Sequence, residues 1–424
     1  MAVSERFDDR RPPERDVIED CVHCGFCLHT CPTYVLWAEE ADSPRGRIVL
    51  IGDAVDGAPV SGELVTHLDR CLGCMACVTA CPSGVRYDRL IERARPQIER
   101  HHRRPRAERL LRRMLFETLP HPRRMRGLAP LLQAGRRLGA GRLPGRLGAM
   151  ARVAPRTSLR RAMRTRLPEL TPAAGERRGR VALLLGCVQR VFYPEVHGAA
   201  IGVLAAEGFD VLAPQLPRCC GALELHAGEE DAAAARARAT VAAFGVLGDV
   251  DYVITEAAGC GSAMKEYGEL LGTAEASAFA ARVRDICEVL ASVPPRAPRG
   301  PVPLRVVYHD ACHLAHAQGV RDEPRALLGA IPGLELREVA TERDVCCGSA
   351  GVYNLLQADA AAELGARKAR HVLEAGADAI AAGNPGCAAQ LDFHLRELGR
   401  PLPIHHPIEL VWRSITAGQR VAHR

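Results

Sequence analysis

Short apolar runs and longer helical stretches alternate through the second half of the chain. Val181–Leu185 is apolar and stops at Gly186-Cys187. A helical stretch follows, then a run at Asp210–Ala213, a loop to Cys219-Cys220-Gly221, and an alanine-rich helical stretch from about Glu229 to Val246. Tyr252–Thr255 then leads to Gly259-Cys260. The succession returns: Arg305–Tyr308 before Cys312, Leu336–Val339 before Cys346-Cys347-Gly348, a helix from Asn354, and Ala379–Ala381 before Cys387. Short strands alternating with helices predict parallel α/β units. The first third reads differently, with helical patterns at Asp16–Asp20 and Gly62–Asp69. In the middle, Leu111, Met114, Leu115 and Thr118 share one helical face, and Pro120, Pro122, Pro130, Pro144 and Pro155 interrupt the pattern. The predicted organisation is a mainly helical domain over 1–100, a helical connector over 101–179, and duplicated α/β domains over 180–300 and 301–424.

Cysteine spacing supports the duplication. Cys187, Cys219, Cys220 and Cys260 recur as Cys312, Cys346, Cys347 and Cys387, at offsets of 125, 127, 127 and 127 residues. A period this long means a duplicated domain, not a short-repeat solenoid. Each cysteine follows the carboxyl end of a predicted strand, where parallel sheets bind ligands. Each half should therefore gather four sulfurs at one locus. Three roles stay open for them: a further iron–sulfur centre in one or both halves, a dithiol that cycles, or packing and other-metal roles. His309, His313 and His316 surround the second locus. The first two stand at i, i+4, a spacing that suits either metal chelation or hydrogen-bonded core histidines. His405-His406 reads as strand-end packing, and the remaining Cys287 as a buried small hydrophobe.

Two runs in the first third carry the most specific signal. Residues 21–32 read CVHCGFCLHTCP and residues 71–82 read CLGCMACVTACP. Both are C-x2-C-x2-C-x3-C-P, the run that holds [4Fe–4S] clusters in two-cluster ferredoxins, where the fourth cysteine serves the other cluster. Cys21, Cys24, Cys27 and Cys81 should thus hold one cluster, and Cys71, Cys74, Cys77 and Cys31 the other. Structural zinc uses paired C-x2-C groups, not three evenly spaced cysteines and a swapped fourth.

Composition adds three constraints. Hydrophobic residues make up 47% of the 424 positions and charged residues 25%, enough to build a core and exclude wholesale disorder. The net charge of +6 hides an asymmetry: residues 89–180 hold 26 arginines against 6 glutamates, a balance of +20, and the rest is acidic. The basic stretch reads as a solvated connector or as a docking surface for an acidic partner subunit or anionic lipid; no nucleic-acid motif accompanies it. Finally, no secretory signal or span of ~18 apolar residues is present, and the cysteines are grouped as for metal or redox chemistry. The expected location is the cytoplasm, with the inner face of the cytoplasmic membrane as a peripheral contact.

Taken together, the two ferredoxin runs and the two CCG-type cysteine-rich domains resemble the iron–sulfur subunit of bacterial glycolate oxidase. Further strings carry the likeness: SPRGRI at Ser43–Ile48, GCVQ at Gly186–Gln189, YHDACHLAHAQGVR at Tyr308–Arg321, CCGSAGVYN at Cys346–Asn354 and NPGC at Asn384–Cys387. The resemblance implies an electron-transfer subunit with two [4Fe–4S] clusters. Its partners would be flavin subunits, carrying the FAD, that oxidise glycolate or D-lactate to glyoxylate or pyruvate, and a quinone or other electron acceptor. No catalytic residue is expected here: the nearest dinucleotide-like string, Gly139-x-Gly141-x-x-x-Gly145, has the wrong spacing and no strand before it. The alternatives are the corresponding subunit of anaerobic glycerol-3-phosphate or lactate dehydrogenase, and a thiol–disulfide reductase like heterodisulfide reductase. That last family ends each half with C-x2-C, where this chain has Ala263 and Gln390.

Overall fold

The computed structural model describes residues 6–139, 148 and 167–422. The middle of the arginine-rich stretch, with Pro144, Pro155, Gly141 and Gly145, lies outside the described residues.

The first hundred residues are helical among the described positions. Helices α1 (Arg15–Glu19), α2 (Pro32–Trp37), α3 (Pro44–Val55), α4 (Gly62–Arg70), α5 (Ala76–Ala80) and α6 (Tyr87–His101) surround a core of Ile51, Leu68, Leu90 and Ile91. Local chemistry sets the start of α3. The Ser43 hydroxyl accepts from Gly46 N at 3.0 Å, and Pro44 occupies the first turn. Helices α7 (Arg106–Thr118) and α8 (Pro122–Arg137) follow.

Two sheets come next. The first uses β1 (Leu170–Thr171), β2 (Gly179–Leu183), β3 (Phe209–Leu212), β4 (Tyr252–Thr255) and β5 (Val283–Asp285), in the order β1-β3-β2-β4-β5. The second uses β6 (Leu304–His309), β7 (Leu334–Glu338), β8 (Ala379–Ala382) and β9 (Ile404–His405), in the order β7-β6-β8-β9. Every pairing is parallel except β1 on β3. Without β1, each half has the same arrangement: its first strand is central, its second lies on one side, and its third and fourth on the other. Strands β1, β5 and β9 are only two or three residues long, too short for a period-two pattern to appear in the sequence.

The halves share a core. The C-terminal helix Pro407–Ala422 crosses back onto the helix Pro194–Ala206, so Ile408, Val411 and Ile415 pack with Val196, Val203 and Leu204. The approach is close enough that a Cβ on Gly202 would stand 2.8 Å from the Trp412 ring.

The described part of the arginine-rich stretch is mixed: Arg103, Arg106, Arg109, Arg113, Arg123 and Arg124 are exposed, as a solvated connector requires, whereas others are paired. Arg100 pairs with Asp8 and Glu230, Arg104 with Asp69, Glu99 and Glu108, and Arg112 with Glu99. Arg93 joins Glu14 to Glu269. Arg93 and Arg100 stitch the helical domain to the first α/β half. They pair because burial against acidic neighbours leaves a guanidinium no water to solvate it.

Candidate functional site

Both ferredoxin runs bend by the same backbone device. His23 and Gly25 have φ of 54° and 86°, and their counterparts Gly73 and Met75 have 63° and 62°. Left-handed residues at these matched positions curl each loop around its own cysteines. Cys21, Cys24, Cys27 and Cys81 line one small cavity, together with Cys77 and Arg45. A second is lined by Cys31, Cys71, Cys74 and Cys77. The fourth cysteine of each run thus faces the other run's triplet.

The two loci differ in their surroundings. Cys24 is exposed and flanked by Val22 at 67% exposure and Phe26 at 60%. Cys31, Cys71, Cys74 and Cys77 are buried. Burial pushes the Cys27 thiol up to about 11, and pushes Cys74 and Cys77 well above the ordinary thiol value. Thiols held this way are poor free thiolates and good ligands once iron displaces the proton. At Cys71, burial is outweighed by Arg47 and Arg95, helped by the Gly73 N–H and the Tyr87 hydroxyl, and the thiol falls below its ordinary value. The donor sets and their spacing fit [4Fe–4S] clusters, which would supply one-electron carriage.

Arg47 is the residue that sequence reasoning missed here, although it lies in the string SPRGRI. It is 1% exposed; Nη1 donates to Cys31 Sγ at 3.9 Å, Nη2 to Thr33 Oγ1 at 3.0 Å and Asp42 Oδ1 at 3.2 Å, and Nε to His67 O at 2.7 Å. The motif glycine, Gly46, sits so near the preceding turn that a Cβ would stand 2.0 Å from Glu40 O.

The strand ends of the α/β halves deliver their cysteines as the pattern implied. In the first half, Cys187 and Cys220 flank Cys219, which their hydrogen bonds and the Gly221 N–H bring well below the ordinary thiol value. Cys220 also approaches Cys260. In the second half, Cys312 Sγ lies 3.8 Å from Cys346 Sγ and 3.5 Å from His313 Nδ1, and these partners lower its thiol. His309, Cys347 and Cys387 bring their ligand atoms within 4.8 Å of one another. The halves are therefore unlike: the position matching His309, at the same offset as Cys312 from Cys187, is Leu184.

His309 and His313 do not share a helical face. His309 ends β6, whereas His313 opens the short turn of π-helix His313–Ala317. His316 is held by Thr79 Oγ1 at 3.0 Å and Arg321 Nη2 at 2.7 Å. His406 is buried, with Nε2 2.9 Å from Glu256 O, and Cys287 is buried in the core. Gly348 carries the CCG turn at φ 82°, where a Cβ would meet Ala361 O at 2.7 Å. Gln390, at the position of a missing cysteine, donates to Ala361 O at 2.9 Å and accepts from Asn354 Nδ2 at 3.3 Å. Ala263 packs in the first half's core.

The inner ferredoxin locus adjoins the second half: Leu72 and Cys74 pack in one cluster with Cys312 and Cys346. Sulfur-bearing groups thus run from an exposed loop through a buried locus to the strand ends.

A fold of this kind, with two cysteine quartets in a helical domain and two more at sheet edges, defines an iron–sulfur electron-transfer protein. Family models agree: a 4Fe-4S dicluster domain matches residues 17–85, and a cysteine-rich domain matches 181–265 and again 306–392. A probable glycolate oxidase iron-sulfur subunit of Bacillus subtilis is 36% identical over 94% of this chain and 93% of its own length. The glycolate oxidase iron-sulfur subunit of Escherichia coli is 34% identical over 97% and 98%. Lactate utilization protein A of Geobacillus kaustophilus is 29% identical over 55% of this chain and 98% of its own. The chain belongs to the family of glycolate oxidase iron–sulfur subunits. No helix among the described residues is long and apolar enough to cross a membrane.

Proposed function

We propose that this chain is the electron-transfer subunit of a glycolate-oxidising complex. A flavin on a partner subunit oxidises glycolate, or D-lactate, to the 2-oxo acid, and this chain carries the electrons onward to a quinone-type acceptor. The observation that carries the reading is the reciprocal pair of cysteine-lined cavities in the dicluster domain. In it, Cys21, Cys24, Cys27 and Cys81 ligate an outer cluster, and Cys71, Cys74, Cys77 and Cys31 an inner one. Arg47 and Tyr87 tune the inner locus through charge and hydrogen bonds to sulfur. Exposed Val22 and Phe26 beside Cys24 give the outer locus an apolar rim suited to docking the flavin subunit.

The strand-end cysteines hold a further centre in this reading. Cys187, Cys219, Cys220 and Cys260 offer four thiols, and Cys312, Cys346, Cys347 and Cys387 offer four with His309 beside them. In this reading catalysis stays on the flavin partner, and this chain binds, insulates and orients redox centres. The units are a dicluster domain over 1–100, a basic segment over 101–179 and cysteine-rich halves over 180–300 and 301–424, working in the cytoplasm at the inner membrane face.

Anaerobic reconstitution with iron and sulfide counting and EPR tests this. About eight irons per chain would confine the clusters to the dicluster domain, and about twelve or more would support a further centre. A chain that takes up no iron would defeat the reading altogether.

A further inference from the structure

Of the thirteen large apolar side chains exposed among the described residues, five fall within residues 110–138. Leu110 and Met114 lie on α7, Leu128 and Leu131 on α8, and Leu138 just past its end. Leu110 is 71% exposed, Leu131 68% and Leu138 88%. Their spacing, four residues on α7 and three and seven on α8, keeps each set on one helix face. The other faces are seated in the molecule, with Leu115 of α7 and Met125 and Ala129 of α8 buried. Met114, Leu128 and Leu131 border a single cavity, so the two exposed strips adjoin.

The charge around the strips is one-sided. Arg106 and Arg113 stand one turn before and after Leu110, with Arg109 beside it, and all three are exposed. Arg123, Arg124 and Arg137 are exposed on α8. The exposed acid on these two helices is Glu117, and it is paired with Arg124. Arg106, Arg109 and Arg113 meet no carboxylate among the described residues. The sequence that follows brings no acid to them either: residues 140–166 hold eight arginines and no Asp or Glu.

Two needs therefore coincide on one face, an apolar occupant for the leucines and an anionic one for the arginines. Water meets only the second. A bilayer of acidic lipid offers both in layers, acyl chains beneath phosphates, and a leucine strip flanked by arginines is the form in which a helix lies along such a surface.

We propose that α7 and α8 are the surface by which this subunit lies on an anionic bilayer. Leu110, Met114, Leu128, Leu131 and Leu138 enter the acyl layer, and Arg106, Arg109, Arg113 and Arg123 reach the phosphates. The inference rests on the reading of a complex at the inner membrane face and adds to it the surface that makes the contact. The placement suits the electron route. Met114, Leu128 and Leu131 line the cavity that Cys187, Cys219 and Cys312 also reach, so the strand-end cysteines lie behind the docked helices. The apolar rim at Val22 and Phe26 belongs to another loop and stays with the flavin subunit.

The test is flotation of the assembled, cluster-loaded complex with lipid vesicles. Vesicles of phosphatidylcholine and phosphatidylglycerol in equal parts should carry the complex upward, and phosphatidylcholine alone should not. Added salt should weaken the binding. Leu110→Gln combined with Leu131→Gln, and separately Arg106→Gln with Arg109→Gln and Arg113→Gln, should each lower vesicle affinity about tenfold or more. Both sets change exposed side chains, so melting temperature and glycolate-dependent dye reduction should stay as they were. Full vesicle affinity in either variant overturns the surface and leaves the membrane reading standing. Loss of the flavin subunits from either variant on gel filtration, with vesicle binding kept, gives the face to the partner and overturns the surface too. A complex that binds neither kind of vesicle overturns the surface and the membrane reading together. Reduction of the clusters by glycolate, followed by EPR, decides the electron-transfer reading separately.

Discussion

Arg47 Nη1 lies 3.9 Å from Cys31 Sγ, so the one fully buried guanidinium beside the inner locus points at the cysteine that the other run contributes. The same guanidinium holds Asp42, which is 0% exposed and also receives Arg70 Nη1 at 2.8 Å. One side chain therefore ties the second helix turn, the acidic pivot and a candidate cluster ligand together.

Replacing Arg47 by Met keeps the stem and removes the charge. Breaking a buried pair of this kind costs about 3–5 kcal/mol, which a lowered denaturant midpoint would report. Loss of a positive charge beside the inner cluster disfavours its reduced, more negative form. Its reduction potential, measured by EPR-monitored titration, should fall while that of the outer cluster stays near its original value.

Reciprocal ligation has a signature in single variants. Cys31→Ser should disturb the EPR signal of the cluster held by Cys71, Cys74 and Cys77, although it belongs to the other run in sequence. Cys81→Ser should disturb the cluster at the exposed loop. The exposed cluster should also be the first lost in air, since Cys24 is open to solvent and the inner four cysteines are not. The opposite assignment of signals would refute the swap.

Gly348→Ala tests the CCG turn. At φ 82° with Ala361 O 2.7 Å from the added carbon, the substitution brings both backbone strain and a clash. A loss of about 1–3 kcal/mol is expected, seen as a lowered melting temperature. Any centre held by Cys346 and Cys347 should be lost with it. Gly399→Ala, at φ 69° but with open space around the position, should cost less.

His406 makes stability depend on pH. Burial depresses its pKa from 6.5 to about 4, so the folded state binds fewer protons than the unfolded state between these values. Stability is full above pH 6.5 and declines as pH falls toward 4, by up to ~3 kcal/mol. His406→Gln should flatten that part of a denaturation-midpoint profile taken from pH 7 to pH 4.5. An unchanged slope would assign the acid sensitivity to other groups.

The sequence by itself determined the features whose signals are local. The C-x2-C-x2-C-x3-C-P runs and the short apolar strands rest on spacing within a few turns of chain; the 127-residue recurrence of CCG is found by matching such short strings, and the repeated strand order of the two sheets follows it. The grouping of Cys31 with Cys71, Cys74 and Cys77 around one cavity also follows the run's spacing, in which the fourth cysteine turns toward the other run.

What only tertiary structure decided involves partners far apart along the chain. Arg100 meets Glu230 across 130 positions and Arg95 meets His226 O across 131, so part of an apparently free basic stretch is bound within the molecule. His197 meets Glu256, and α7 and α8 close over both sets of strand-end cysteines, only because folding brings these separate segments to one cavity. Charge and burial are properties of neighbours in space, and no periodicity along the chain records who those neighbours are.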